Sequence, residues 1–377
     1  MTNERQIPRP RRARRAGLVG AAVGLTAAGV AIGLAAGRAI GRRPGEHDDP
    51  YATEEFGQAA YDEVVTVQTT DGVEIYAEVV DRLDGIELDA DFAEKVAPRA
   101  ESEGEPTLVF VHGFCLNMGV FHFQRKELTQ RGDWRAVYYD QPGHGRSGRL
   151  AAGEYELVQL AEALKVLLDE VAPDEPVVLV GHSMGGMTIM AFAERYPELF
   201  AERVAGVVLI ATSAGRLEAT ATAMPELLSR ASRPLLPLVN GATRMTGGVI
   251  DRARRASKQL AWLLTQRYGF GAPSPSRALV SYVARMNDKT STETVARYVR
   301  TLYTHSRYPT LEALRDKPVL LICGDLDEIT PMGHSEEIKA RLPEAELVLV
   351  PDSGHMVLLE HHEVVTEALL EFLEKLA

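Results

Sequence analysis

The chain predicts an α/β fold: a mainly parallel sheet of about eight strands, helices on both faces, and a helical insertion late in the chain. Three observations predict it. From residue 107 onward, short apolar runs alternate with stretches of helical period, the pattern of parallel strands joined by crossover helices. Gly181-His182-Ser183-Met184-Gly185 lies between one such run, Val177 to Val180, and one such stretch, Gly186 to Tyr196. Residues 215–309 then interrupt the alternation with mostly helical pattern, Pro and Gly breaks and no clear central strand.

Bulk properties set the outer bounds. A chain of 377 residues holds one or two domains. An apolar fraction of 45% supports a large core. The formal net charge is −12, although residues 1–43 carry nine arginines, no lysine and one acid, Glu4. The remainder is therefore strongly acidic, which argues against nucleic acid as a partner. The two cysteines, Cys115 and Cys323, form neither a zinc spacing nor a disulfide framework. Each ends an expected strand and reads as a small buried hydrophobe, with catalysis by Cys115 a minor alternative. No internal repeat is visible.

The first element is the arm, 1–43. Arg11, Arg12, Arg14 and Arg15 precede 22 uncharged residues, Ala16 to Gly37, and Arg38, Arg42 and Arg43 follow. That length suits one membrane span. Small residues four apart (Gly20/Gly24, Gly29/Gly33, Gly33/Gly37) would let two such helices approach closely. The favoured reading is a single N-terminal anchor. The arginine bias puts the N-terminus in the cytoplasm and the body on the outer side. A cleaved export signal of twin-arginine type is the alternative, and a disordered Ala/Gly arm is a third. No clean Ala-x-Ala site precedes a neutral stretch, and Arg38 falls where cleavage would be expected. Residues 44–60 read as a linker to a domain over 61–377.

Val64 to Val67 and Val73 to Val80 flank Asp71-Gly72 and read as a β-hairpin. Residues 81–105 are acidic and weakly patterned, a surface excursion. Thr107 to Val111 is a continuous apolar strand, as expected for one buried on both faces. A helix over about 120–131, a strand at 134–139 and a helix from Leu157 follow. The strands at 177–180 and 204–210 flank the serine turn and its helix. After the insertion come a strand at 318–323, a helix at 333–342, a strand at 346–350 and a helix at 364–376. The insertion reads as a cap over the carboxyl ends of the strands, where open α/β sheets bind ligands.

A strand, Gly-x-Ser-x-Gly, then a helix is the setting of a serine nucleophile on a sharp turn. The glycines are steric requirements, and the helix N-terminus favours developing negative charge. With His112-Gly113-Phe114 and Asp140-Gln141-Pro142-Gly143-His144-Gly145-Arg146-Ser147 added, residues 64–377 resemble the α/β-hydrolase superfamily, most closely its capped single-domain serine hydrolases of esterase and lipase type. The arm and the longer excursion at 81–105 depart from that pattern. The three motifs together are specific for the fold and say little about substrate.

The resemblance implies a catalytic set. Ser183 matches the nucleophile; aspartate would stand there in haloalkane dehalogenases and epoxide hydrolases. The base is expected after the last strand, at His355 in Pro351-Asp352-Ser353-Gly354-His355. Of the nine other histidines, five are read otherwise: His361 and His362 as solvated, His182 as pointing elsewhere, His144 as structural, and His112 as bracing the neighbouring loop. The family spacing Gly-x-x-Asp-x-x-x-Pro selects Asp327 as the acid between Gly324 and Pro331, with Asp325 as runner-up and Glu328 solvated. The backbone N–H groups of Phe114 and Met184 form the implied oxyanion hole, and their side chains line the substrate pocket.

These residues imply hydrolysis of a small-molecule, lipophilic carboxylic ester through an acyl-enzyme, with no cofactor and no metal. Carbon–carbon bond hydrolysis, or cofactor-free perhydrolysis of haloperoxidase type, would use the same triad and is the alternative. A non-catalytic receptor or scaffold with this fold is a weaker one, because the triad is intact. The apolar stretches Leu235 to Val239 and Trp262 to Leu264 read as cap core before substrate contacts.

Overall fold

Strand composition follows from burial on two faces. In β3 (Thr107–Val111), Val109 and Val111 enter one apolar cluster while Leu108 and Phe110 enter the other. The same alternation runs through β5 (Val177–His182), β6 (Val204–Ile210) and β7 (Val319–Gly324), so no polar face interrupts their sequence. The computed structural model describes residues 49–82, 105–151, 155–217 and 262–376. The segment 16–37, most of the excursion at 81–105 and the first part of the insertion, including Leu235 to Val239, lie outside them. Among the described residues no helix is long and apolar enough to cross a membrane.

The sheet has eight strands in the order β1-β2-β4-β3-β5-β6-β7-β8. The hairpin of β1 (Glu63–Gln68) and β2 (Glu74–Val80) joins β4 (Ala136–Tyr139) antiparallel, and every other pairing is parallel. β8 (Glu346–Val350) closes the far edge, parallel to β7. One face is covered by α2 (Leu157–Val171), α3 (Met184–Arg195) and α7 (Gly333–Arg341). The other is covered by α1 (His122–Arg131), the short α8 (Val357–Glu360) and α9 (His362–Leu376). A helix absent from the sequence expectation, α4 (Pro197–Arg203), follows α3 after a single residue. Proline opens it at the first helical turn, where its missing N–H costs nothing.

The described part of the insertion is helical: residues 262–269, α5 (Arg277–Lys289) and α6 (Thr292–Thr304). Ser276 and Ser291 cap α5 and α6 by accepting the N–H groups of Leu279 and Thr294. α5 packs into one apolar cluster through Leu279, Val280, Tyr282, Val283 and Met286; α6 enters the other through Tyr298 and Leu302. Trp262, half-buried, donates its indole N–H to Ser281 at 3.2 Å and packs on the first of these clusters, which also holds residues of the sheet.

The stretch expected to be a linker is a packed strap over its described part, 49–60. Asp49 accepts from Ser276 Oγ at 2.7 Å and from the Ala278 N–H at 3.0 Å, a second cap on α5. Phe56 stacks on Tyr282 with ring centroids 4.5 Å apart. Glu54 pairs with His122 at 2.8 Å and Lys126 at 2.9 Å on α1. Tyr51, Phe56 and Phe123 interlock as aromatic neighbours, and the stacking partner of Phe123 is His362. That half-buried stacking corrects the reading of His362 as solvated.

Candidate active site

The turn after β5 places Ser183 at φ 53° and ψ −118°, a backbone conformation that L-residues avoid. Packing enforces it. A Cβ on Gly185 would be driven into the carbonyl oxygen of Val111, and one on Gly181 would stand 2.6 Å from the N of Gly186 and from Ile189. α3 therefore starts hard against the ends of β3 and β5. Thr212 holds the turn from the other side, its hydroxyl donating to the Ser183 carbonyl at 2.6 Å.

Loops after β7 and β8 bring the remaining side chains in. The Ser183 hydroxyl lies 2.9 Å from His355 Nε2, and His355 Nδ1 lies 2.8 Å from Oδ2 of Asp327. With Nδ1–H donating to the carboxylate, Nε2 keeps its lone pair toward the serine. Asp327 is fully satisfied: Oδ1 accepts the N–H groups of Ile329 (2.8 Å) and Thr330 (2.9 Å), and Oδ2 also accepts the Thr330 hydroxyl at 2.7 Å. Burial pushes its carboxyl up, but the His355 ring beside it and these donors outweigh that and hold it below its ordinary range. It is therefore ionised at neutral pH.

Asp325 is placed elsewhere. It is exposed and accepts from the Ser353 N–H at 3.3 Å, tying one loop to the other. Glu328 forms an exposed ion pair with Arg267 at 2.7 Å. Thr330 was not singled out in the sequence; the only local hint is its place inside the Asp-x-x-x-Pro spacing.

The loop after β3 passes directly over the serine, since a Cβ on Gly113 would lie 3.1 Å from the Ser183 Cβ. The Gly113 carbonyl accepts from His112 Nδ1 at 2.7 Å and from the Leu116 N–H at 3.3 Å. A trans peptide is planar, so anchoring that oxygen turns the Phe114 N–H the opposite way. Met184 is the first residue of α3, and the first N–H groups of a helix have no partner within it. Among the described residues, neither amide finds a backbone acceptor. Met184 is fully buried in the apolar cluster against which Phe114 packs, and the Phe114 ring meets His144 and Tyr298 edge-on at 6.1 and 6.3 Å.

Three buried histidines serve as braces. His112 Nε2 accepts the Gln141 N–H at 2.9 Å, which leaves the proton on Nδ1 for Gly113. The Gln141 side chain in turn accepts the Thr188 hydroxyl of α3 at 2.8 Å. Burial lowers His112 well below its ordinary value. His144 accepts the Cys115 N–H and donates to the Pro142 carbonyl, both at 3.1 Å, and burial takes it down to about 4. His182 does more than point away from the serine. Its Nε2 lies 3.1 Å from the carbonyl of His355, and burial followed by the nearby His355 ring takes it down to about 3. That link joins residues far apart in the chain, so no local pattern announces it. Burial pushes the Cys115 thiol up to about 12, which leaves no thiolate at neutral pH.

Among the described residues no cluster of His, Cys, Asp or Glu could hold a metal ion. The arrangement can deliver a serine alkoxide equivalent to an electrophile lying between Ser183 and two backbone amides.

Comparison with known proteins finds relatives of the same fold. The chain is 30% identical over 268 residues to a pimeloyl-[acyl-carrier protein] methyl ester esterase of Nitrosomonas europaea, covering 68% of this chain and 92% of that one. It is also 30% identical over 274 residues to the dihydrolipoyllysine-residue acetyltransferase component of an acetoin cleaving system from Pseudomonas putida, covering 72% of this chain; it spans only 65% of that protein's length. Among solved structures, a bacterial membrane phospholipase A described as a virulence factor superposes with a TM-score of 0.61 at 23% identity, over 96% of this chain and 99% of that one. Residues 106–362 match the family of the alpha/beta hydrolase fold, and the chain belongs to that family of enzymes.

Proposed function

We propose that the protein hydrolyses carboxylic esters through an acyl-enzyme on Ser183. The observation that carries this reading is the continuous hydrogen-bonded row Ser183 Oγ, His355 Nε2, His355 Nδ1 and Asp327 Oδ2, with links of 2.9 and 2.8 Å. His355 takes the hydroxyl proton as Oγ attacks the ester carbonyl. The Asp327 carboxylate stabilises the imidazolium as it forms. The N–H groups of Phe114 and Met184 receive the oxyanion, a contribution of about 3 kcal/mol per donor in comparable sites. His355 then protonates the departing alcohol, and water cleaves the acyl-enzyme with the same groups in reversed roles.

The substrate is a lipophilic ester, admitted beneath the insertion 215–309 acting as a cap. The contact of α6 with Phe114 through Tyr298 supports this, because an aromatic residue of the insertion packs on the ring of Phe114. Residues 16–37 anchor the protein as a single span with the catalytic domain on the outer side. Their length and their flanking arginines support that reading.

A series of p-nitrophenyl esters of rising chain length tests the reaction. Turnover with a preference for medium or long acyl chains is the expected result. Failure of the folded protein to turn over any of them would move the assignment to carbon–carbon bond cleavage on the same triad. For the anchor, membrane fractionation with N-terminal sequencing should find the intact arm in the membrane pellet; a mature chain starting near residue 40 would contradict it.

A further inference from the structure

The base of the proposed triad is held by the insertion as well as by the sheet. His355 sits between two peptides tied to residues 269–272, one directly and one through a carboxylate. The Met356 N–H donates to the Gly269 carbonyl at 2.7 Å. The Gly354 N–H donates to Oε2 of Glu360 at 2.8 Å, and the same oxygen accepts the Gly271 N–H at 3.0 Å. Oε1 of Glu360 accepts the Ala272 N–H at 2.8 Å, and the Ser353 hydroxyl lies 3.5 Å from Oε2. The two loops touch backbone to backbone, leaving no room for side chains at the crossing. A Cβ on Gly271 would stand 2.6 Å from the Ser353 carbonyl carbon, and one on Gly354 would stand 2.6 Å from the Gly271 N.

We propose that Glu360 is a positioning residue that sets His355 for catalysis by binding its loop to residues 269–272 of the insertion. The inference rests on His355 being the catalytic base. A carboxylate accepting three backbone N–H groups makes charge-assisted bonds, stronger and more directional than neutral ones. Glu360 lies at the end of α8, one short turn beyond His355, so its backbone moves with that loop while its carboxylate grips the other. The His182 ring fixes the His355 carbonyl from the sheet side. The imidazole is thus aimed by three grips, two of them on the insertion. The end of the insertion nearest α5 is part of the catalytic frame and keeps its place while substrate enters.

Glu360→Gln tests this. The amide keeps one acceptor oxygen and turns an NH2 toward peptide donors, so it cannot accept from Gly354, Gly271 and Ala272 together, and the bonds that remain lose their charge assistance. The measurement is kcat and KM on p-nitrophenyl acetate, with active sites counted by fluorophosphonate titration. The expected result is a kcat per titratable site lower by about tenfold to a hundredfold, the range for displacing a catalytic group by about 1 Å, with KM within about twofold. Gly271→Ala wedges the same loops apart without touching any carboxylate. It should lower kcat similarly, and the double variant should lose less than the product of the two. Glu367→Gln, an exposed carboxylate on α9, serves as control and should leave kcat unchanged. Wild-type kcat per site in Glu360→Gln overturns the proposal. Should that variant not fold, wild-type kcat in Gly271→Ala overturns it. Failure of the wild-type protein to titrate at all would instead overturn the assignment of the triad.

Discussion

At the scale of single residues, two carboxylates of one loop are separated by environment. Asp325 and Asp327 stand two positions apart, yet only Asp327 is enclosed, supplied with three donors from Ile329 and Thr330, and bonded to His355. Asp327→Asn should lower kcat by about four orders of magnitude, because an amide facing Nδ1 imposes the wrong tautomer. Asp325→Asn should lower it less than about tenfold. Steady-state kinetics on one p-nitrophenyl ester decides, and equal losses would contradict the assignment. Thr330→Val removes one donor from Asp327 and should cost kcat a smaller factor, on the order of tenfold. The positions of Ser183, Asp327 and His355 were legible because each falls in a short motif at a strand end. Thr330, His182 and Glu360 were not, because their partners meet them only once three loops have converged.

At the scale of elements, legibility followed burial. Strands buried on both faces have no polar alternation to blur them, so Thr107 to Val111 and Val204 to Ile210 were read with their observed bounds. The turn of the serine was legible for the same reason: its glycines are demanded by close contact with β3 and with the first turns of α3. Gly185→Ala forces a methyl group into the Val111 carbonyl and should prevent folding or lower the thermal midpoint by about 5 °C or more, of the order expected for a loss of about 3 kcal/mol in a domain of this size. An unchanged midpoint by differential scanning fluorimetry would contradict the packing described. α4 escaped because Pro197 reads as a stop, whereas it begins a new helix. The strap 49–60 escaped because a Pro-, Gly- and acid-rich stretch resembles a linker. Its order comes from Tyr51 and Phe56, two aromatic residues whose sockets lie on α1, α5 and α9.

At the scale of the whole molecule, buried imidazoles make stability depend on pH. Burial holds His182 at about 3, and His144 and His305 at about 4, while the unfolded chain would protonate them near the ordinary imidazole value of 6.5. Their folded pKa values are depressed, so below about 6.5 the unfolded state binds the extra protons and stability falls as pH falls toward 4. A single imidazole lowered from 6.5 to about 4 accounts for roughly 3 kcal/mol across that window. Asp140, which burial pushes up to about 6, acts in the opposite direction between its unfolded value of 3.8 and about 6. The histidines outnumber it. Urea midpoints should therefore drop markedly between pH 7 and pH 4.5, and a midpoint that is flat or rises toward pH 4.5 would contradict the burial of these rings.

The sheet, the loops and the insertion converge on one claim, that Ser183 is the nucleophile of an ester hydrolase. Intact-mass and peptide mass spectrometry after treatment with a fluorophosphonate tests it most directly. The predicted result is a single adduct on the peptide carrying Ser183, with hydrolysis of p-nitrophenyl esters abolished in step with labelling. In Ser183→Ala the adduct should vanish and kcat should fall by about six orders of magnitude. Labelling at another residue, or hydrolysis by Ser183→Ala near the wild-type rate, would contradict it.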